Sequence, residues 1–251
     1  MSAVREQVLA ELRERISALD GDVAKRKGSL PFGVRQIDEH LPGVGIAYGA
    51  VHEFAGGGAG TVDGAAAALF AAGIAARSKG KILWCLTRPD LFAPAVSQAG
   101  LHPDRVIYCE GNNDEDVLAS MEEGLSFGGF GAVVGELVRL PMTASRRLHL
   151  AAEKTGSMGL VVRRWRRQNE ASDYGSPTAS TTRWRISVLP SESLPVAGVG
   201  RARWLAELMR VKAGECAEFE IGACDAKGRI CLLPVSVDGS NTSTWRGSRA
   251  G

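Results

Sequence analysis

The chain has 251 residues, 45% of them hydrophobic and 23% charged, with a formal net charge of +2. That is enough for one sizeable α/β domain with extensions or two small ones, of ordinary globular composition. So balanced a charge gives no global argument for a nucleic-acid or membrane partner. The longest small-apolar stretch, Gly64 to Ala76, is too short and alanine-rich to span a bilayer. Charges throughout Arg5 to Arg15 argue against a signal peptide, so a cytoplasmic location is expected. The five cysteines form no C-x-x-C pair and several lie in apolar strand-like runs, which predicts buried reduced thiols. Four scattered histidines offer no zinc constellation, and no metal or cofactor is expected.

In chain order, Val4, Val8, Leu9, Leu12 and Ile16 recur at three and four residue spacings among charges, the pattern of an amphipathic helix. A basic linker, Lys25-Arg26-Lys27-Gly28, follows it. The helix either folds back on the core or serves as a docking arm for a neighbouring subunit. Ser29 to Gly49 is rich in Gly and Pro and approaches the first core strand. Strand and helix signals then alternate: strand Ala50 to Phe54, helix Val62 to Arg77, strand Lys81 to Leu86, helix Pro89 to Gly100 and strand Arg105 to Cys109. Helix Asp114 to Phe127, strand Gly131 to Leu137, helix Thr143 to Thr155 and strand Gly159 to Arg164 continue the series. Apolar strands separated by helices of this length imply parallel β-α-β units covered on both faces.

After Trp165 the texture changes. Gln168 to Thr182 is polar, small and turn-rich, and is expected to be a long loop of limited order. Arg183 to Leu189, Ala202 to Val211, Cys216 to Ile221 and Arg229 to Leu233 read as strands of an antiparallel extension of the sheet. The expected organisation is therefore a helical arm and linker over 1–28, a core over 29–235 and a frayed Ser/Gly/Arg-rich tail over 236–251.

The segment joining the first core strand to its helix, Gly56-Gly57-Gly58-Ala59-Gly60-Thr61-Val62-Asp63, lies where a nucleoside-triphosphate loop belongs. A working loop reads G-x-x-x-x-G-K-[ST]: backbone N–H groups cradle phosphates, Lys neutralises them and the hydroxyl holds Mg²⁺. Counted from Gly56, Val62 stands in place of the Lys and Asp63 in place of the Ser or Thr. With Gly60 as the second Gly, Thr61 and Val62 take those places, and neither register supplies the lysine. In the first register a carboxylate also stands where phosphate oxygens would go. These residues predict a scaffold descended from an ATPase and no longer one. Alternatively the segment is a strand-to-helix turn with Thr61 or Asp63 capping the helix. Weak ATP and Mg²⁺ binding stays open, because a helix N-terminus attracts phosphate.

Arg163, Arg164, Trp165, Arg166 and Arg167 place four guanidinium groups and an indole in five residues, and Arg183-Trp184-Arg185 stands across the polar loop. From Arg163 to Lys212 there are ten basic residues against four acidic ones. Arg tracking phosphates while Trp stacks on bases is the chemistry of a single-stranded nucleic-acid site. The same residue types anchor protein interfaces, and a solvated basic face with the Trp residues packed inward is the third reading.

The stretch from about Ser29 to Leu233 resembles the RecA recombinase core. The likeness is carried by the entry Ser29 to Asp38, the Gly-rich approach through Gly49, the strand Val51-His52-Glu53-Phe54 before the loop, and the strands around Leu208 to Ile221. RecA-like order, a missing loop lysine and an Arg/Trp-rich segment together are similar to the ImuA family. Those are accessory proteins of bacterial SOS mutagenesis, encoded with a Y-family polymerase-like partner and an error-prone DNA polymerase III alpha-type subunit. The resemblance implies a non-catalytic adaptor whose N-terminal helix docks on RecA and whose Arg/Trp loop occupies the place of a second DNA-binding loop. It also implies that Glu136 is what remains of the second phosphate-site strand. The strand ending at Leu86 runs into Thr87-Arg88-Pro89-Asp90 without the recombinase's catalytic glutamate. Since phosphoryl transfer is almost entirely positioning and charge stabilisation, these losses imply no catalysis. The alternatives are a DNA-dependent ATPase or recombinase-like protein with an atypical loop, and an SOS cell-division inhibitor.

Overall fold

A computed structural model of the chain describes residues 28–58, 60–165, 171, 174–191, 194, 196 and 198–233. The expected arm with Val4, Val8, Leu9, Leu12 and Ile16, the pair Arg166 and Arg167, and the tail from 236 lie outside the described residues. A short hairpin of β1 (Ser29–Leu30) and β2 (Ile46–Ala47), with the one-turn helix α1 (Arg35–Asp38) between them, leads into a nine-stranded sheet. That sheet runs through β3 (Ala50–Gly56), helix α2 (Thr61–Arg77), β4 (Ile82–Leu86), α3 (Ala93–Gln98) and β5 (Val106–Glu110). It continues through α4 (Asp114–Phe127), β6 (Ala132–Leu137), α5 (Met142–Thr155) and β7 (Met158–Arg163). The last strands are β8 (Thr182–Leu189), β9 (Arg203–Val211), β10 (Ala217–Gly222) and β11 (Cys231–Leu232). The order across the sheet is β11-β10-β9-β8-β3-β7-β6-β4-β5.

The strands read as apolar runs because both faces are covered. Side chains alternate across a strand, and the even-numbered residues Phe54, Trp84, Val134, Leu160, Val162, Trp184 and Ile186 enter one core with α2. The odd-numbered Val51, Leu83, Cys85, Val133, Leu137 and Val161 enter a second core with Val117, Met121 and Leu125 of α4 and Leu148 and Ala152 of α5. The alanines of α2 let it lie close to the sheet, and Phe70 projects from it into an aromatic cluster. Its ring centroid is 5.7 Å from Phe32, 5.8 Å from Phe54, 5.8 Å from Trp184 and 6.3 Å from Trp204. Among the described residues no helix is long and apolar enough to cross a membrane.

Several expectations change in the folded chain. The strand beginning near Arg183 is not antiparallel to the core: β8 pairs parallel with β3, and the antiparallel pairing starts with β9. The helix expected from Pro89 begins only at Ala93, and Phe92 before it keeps extended backbone. The second half of the polar loop is packed, with Thr178, Ser180 and Thr181 buried and the Tyr174 hydroxyl donating to the Trp184 carbonyl. All five cysteines are free thiols, but Cys216 and Cys231 are exposed, while burial pushes the Cys85 thiol up to about 12.

Candidate functional site

Because β3, β4, β6 and β7 are parallel, their carboxyl ends lie along one edge of the sheet, the edge at which open α/β folds bind ligands. A cleft of about 280 Å³ opens there, lined by Thr61 of α2, Thr87, Arg88 and Asp90 after β4, Asp114 of α4, Glu136 and Leu137 of β6 with Val138 after it, and Arg164 and Trp165 after β7. Asp114 is the first residue of α4, and its Oδ2 accepts from the backbone N–H groups of Val138 and Arg139, both at 3.0 Å. It therefore ties the helix to the end of β6.

Glu136 points to the α2 side of β6 and is 6% exposed. The Trp84 indole donates to its Oε1 at 2.9 Å and the Arg164 guanidinium to its Oε2 at 2.8 Å. Arg164 also reaches Asp90 Oδ2 at 3.0 Å. Burial pushes the Glu136 carboxyl above its ordinary range, against the opposing pull of Arg164 and Trp84. The cleft floor is thus an ion-paired bridge, Glu136–Arg164–Asp90, spanning the ends of β6, β7 and β4.

The glycine-rich loop leads into α2, whose first residue, Thr61, lines this cleft. Its helix begins at Thr61 with Gly60 as N-cap, and no side chain caps it, so the expected cap from Thr61 or Asp63 is not formed. Asp63 has other partners. Its Oδ2 accepts from the Gly58 N–H at 2.8 Å, and its Oδ1 accepts from the Val188 N–H of β8 at 2.8 Å. The Gly57 N–H is given to the Ile186 carbonyl at 2.8 Å, which extends the β3–β8 ladder into the loop.

These residues do not suit a magnesium–nucleotide. No lysine follows the loop, and two successive loop donors are already satisfied inside the chain. The cleft faces a polyphosphate with three carboxylates, Asp90, Asp114 and Glu136, against two guanidinium groups, Arg88 and Arg164. Among the described residues no group of three or more His, Cys, Asp or Glu is arranged to hold a metal ion.

The Arg/Trp cluster divides into a buried part and a rim. Trp184 is 0% exposed and packs on Phe32 and Phe70, so it does not offer a face for stacking. Arg163 and Arg183, at 1% and 6% exposed, both donate to Glu53 at 3.3 Å. Glu53 is itself fully buried and also accepts from the Thr178 hydroxyl. Arg163 gives two further N–H groups to the Val138 carbonyl, at 2.8 and 3.2 Å. The Tyr174 ring lies between the two guanidinium groups, 5.8 Å from Arg163 and 5.1 Å from Arg183. Arg185 donates its Nε to Glu207 at 2.7 Å. Arg163, Arg183 and Trp184 are therefore interior, which for these three agrees with the reading in which the Trp residues pack inward. Among the described residues, part of the local basic excess is met by carboxylates distant in sequence: Glu53 with Arg163 and Arg183, Asp90 and Glu136 with Arg164, and Glu220 with Arg203. Arg164 and Trp165 remain at the cleft, where the Trp165 Nε1 is buried without a hydrogen-bond partner among the described residues.

Sequence reasoning missed Glu53 and Asp90. Glu53 was legible as a charge inside an apolar strand, a setting that requires a cationic partner.

No protein-family model matches the chain. It is 37% identical over 195 residues to protein ImuA of Caulobacter vibrioides (strain NA1000 / CB15N), covering 74% of this chain and 79% of that protein. Protein ImuA of Caulobacter vibrioides (strain ATCC 19089 / CIP 103742 / CB 15) matches with the same figures. Among solved structures, the crystal structure of the RadB recombinase aligns with a TM-score of 0.55 at 17% identity, over 82% of this chain and 100% of that one. That likeness establishes a RecA-like α/β fold with antiparallel C-terminal strands.

Proposed function

The chain belongs to the ImuA family, and from that membership we propose that it is a non-catalytic, RecA-like accessory protein of SOS-induced, error-prone translesion synthesis. In this reading it bridges RecA and polymerase partners, a Y-family polymerase-like protein and an error-prone DNA polymerase III alpha-type subunit, in the cytoplasm. The observation that carries the non-catalytic part is the Glu136–Arg164–Asp90 bridge. A glutamate whose two oxygens already accept from an indole and an arginine is held as a structural anchor, which supports the reading that it no longer orients water for hydrolysis. The arm carrying Val8, Leu12 and Ile16 supplies the RecA contact. Any contact with single-stranded DNA falls to Arg164, Trp165, Arg166 and Arg167, since Arg163, Arg183 and Trp184 are spent on the core.

Titration calorimetry with ATP and Mg²⁺, with phosphate release followed with and without single-stranded DNA, tests the reading. We expect neither heat nor turnover. Micromolar binding with DNA-stimulated turnover, abolished by Glu136→Gln, would replace it with the ATPase reading.

A further inference from the structure

We infer that Asp63 is a built-in occupant of the glycine-rich loop: its carboxylate takes the Gly58 N–H, a loop donor of the kind a phosphate would use, and through the Val188 N–H locks the loop onto the end of β8. The inference rests on the non-catalytic reading above and supplies a physical cause for it beyond the missing lysine.

Three observations converge. Both carboxylate oxygens of Asp63 are engaged, at 2.8 Å each, by N–H groups from two different segments, Gly58 of the loop and Val188 of β8. The loop glycines face the chain itself. An added Cβ at Gly57 would fall 1.8 Å from Ser187 Oγ, at Gly58 2.9 Å from Asp63 Oδ2, and at Gly56 2.7 Å from the Gly64 nitrogen. In a phosphate loop glycine lets the backbone approach a ligand; here it lets the backbone approach β8, the first turn of α2 and Asp63. Finally, Asp63 is the third residue of a 17-residue helix, where the helix dipole favours negative charge. The field that draws a phosphate to such a helix end is answered by the chain's own anion. An incoming phosphate would have to displace Asp63 from two hydrogen bonds and then sit beside its charge.

The test is a two-by-two set of full-length variants: wild type, Val62→Lys, Asp63→Ala and the double substitution. Each is titrated with inorganic pyrophosphate without metal, and its melting temperature is recorded. Val62→Lys restores the cation in the first register. We expect pyrophosphate to bind only weakly to wild type and to Val62→Lys alone, and at least about tenfold more tightly to the double variant than to Val62→Lys, since each tenfold corresponds to about 1.4 kcal/mol, the scale of one charge-assisted hydrogen bond. Asp63→Ala should also melt roughly 2–6 °C lower. Equal pyrophosphate affinity with and without Asp63 overturns the inference, even where the melting temperature falls, because the carboxylate would then be a strut and not an occupant. A wild-type protein that releases phosphate from magnesium–ATP would instead refute the non-catalytic reading, and the phosphate-release assay separates the two failures.

Discussion

Replacing Glu53 by Gln removes one charge from the most deeply buried ionic group in the described structure and leaves shape almost unchanged. Glu53 is 0% exposed and shared by Arg163 and Arg183, each at 3.3 Å and itself buried. Neither arginine can turn to water without taking apart the packing of Tyr174 and the Val138 carbonyl contact. Breaking a buried ion pair by removing one partner costs about 3–5 kcal/mol, because the remaining charge stays desolvated. Against a total stability on the order of 5–15 kcal/mol, that is a large fraction. With a urea dependence of about 2 kcal/mol per molar, the midpoint should fall by roughly 1.5–2.5 M. Equilibrium urea unfolding followed by tryptophan fluorescence measures it, since Trp84 and Trp184 are fully buried reporters. A midpoint within about 0.3 M of wild type would refute the reasoning and return Arg163 and Arg183 to the pool of available contacts.

Trp184→Ala should cost about 3–5 kcal/mol through loss of the aromatic cluster, read by the same unfolding assay; unchanged stability with weakened DNA binding would mean that it is a stacking residue. Gly73→Ala should loosen the turn between β10 and β11 from α2, because a Cβ there would meet Cys224 Sγ at 2.3 Å. A loss of about 1–3 kcal/mol is expected, with thiol labelling of Cys224 accelerated; wild-type labelling rates would count against that packing. His52 is fully buried, and burial chiefly holds its imidazole down at about 4, with the Ala47 carbonyl opposing and His149 assisting. Its folded pKa lies below the unfolded value near 6.5, so the unfolded chain binds the extra proton first, and stability falls as pH drops through the window from about 6.5 to 4, by about 3 kcal/mol. His52→Asn should flatten that part of the stability–pH curve, and an unchanged slope would assign it to other groups. Charged replacements at Val8, Leu12 and Ile16 should abolish co-purification with RecA, and retained binding would dismiss the arm as the contact.

Much of the architecture was legible because it is written in local periodicity. The acidic first turn and apolar spacing of Asp114 to Phe127 mark α4 with its observed bounds. The continuous runs of β4, β6 and β7 announce strands covered on two faces. The missing lysine after the loop is visible without any structure. The direction of β8 was not legible, because parallel and antiparallel pairing leave the same alternation of Trp184 and Ile186 and differ only in what lies alongside.

The fate of the arginines shows where sequence reasoning stops. Ten basic residues against four acidic ones over Arg163 to Lys212 is a true local count, but charge is neutralised in space and not along the chain. Glu53, Asp90 and Glu136 arrive from segments more than 25 residues away in sequence and turn part of a basic stretch into packing and a cleft floor. What the sequence determined by itself was the alternating α/β order, the loss of the loop lysine and the family likeness, since each depends on residue type and near spacing. Tertiary structure alone decided that Trp184, Arg163 and Arg183 are interior, that Arg164 bridges Glu136 and Asp90, and that Asp63 fills the loop. Each of those rests on a contact between segments far apart in sequence, which exists only once the chain has folded.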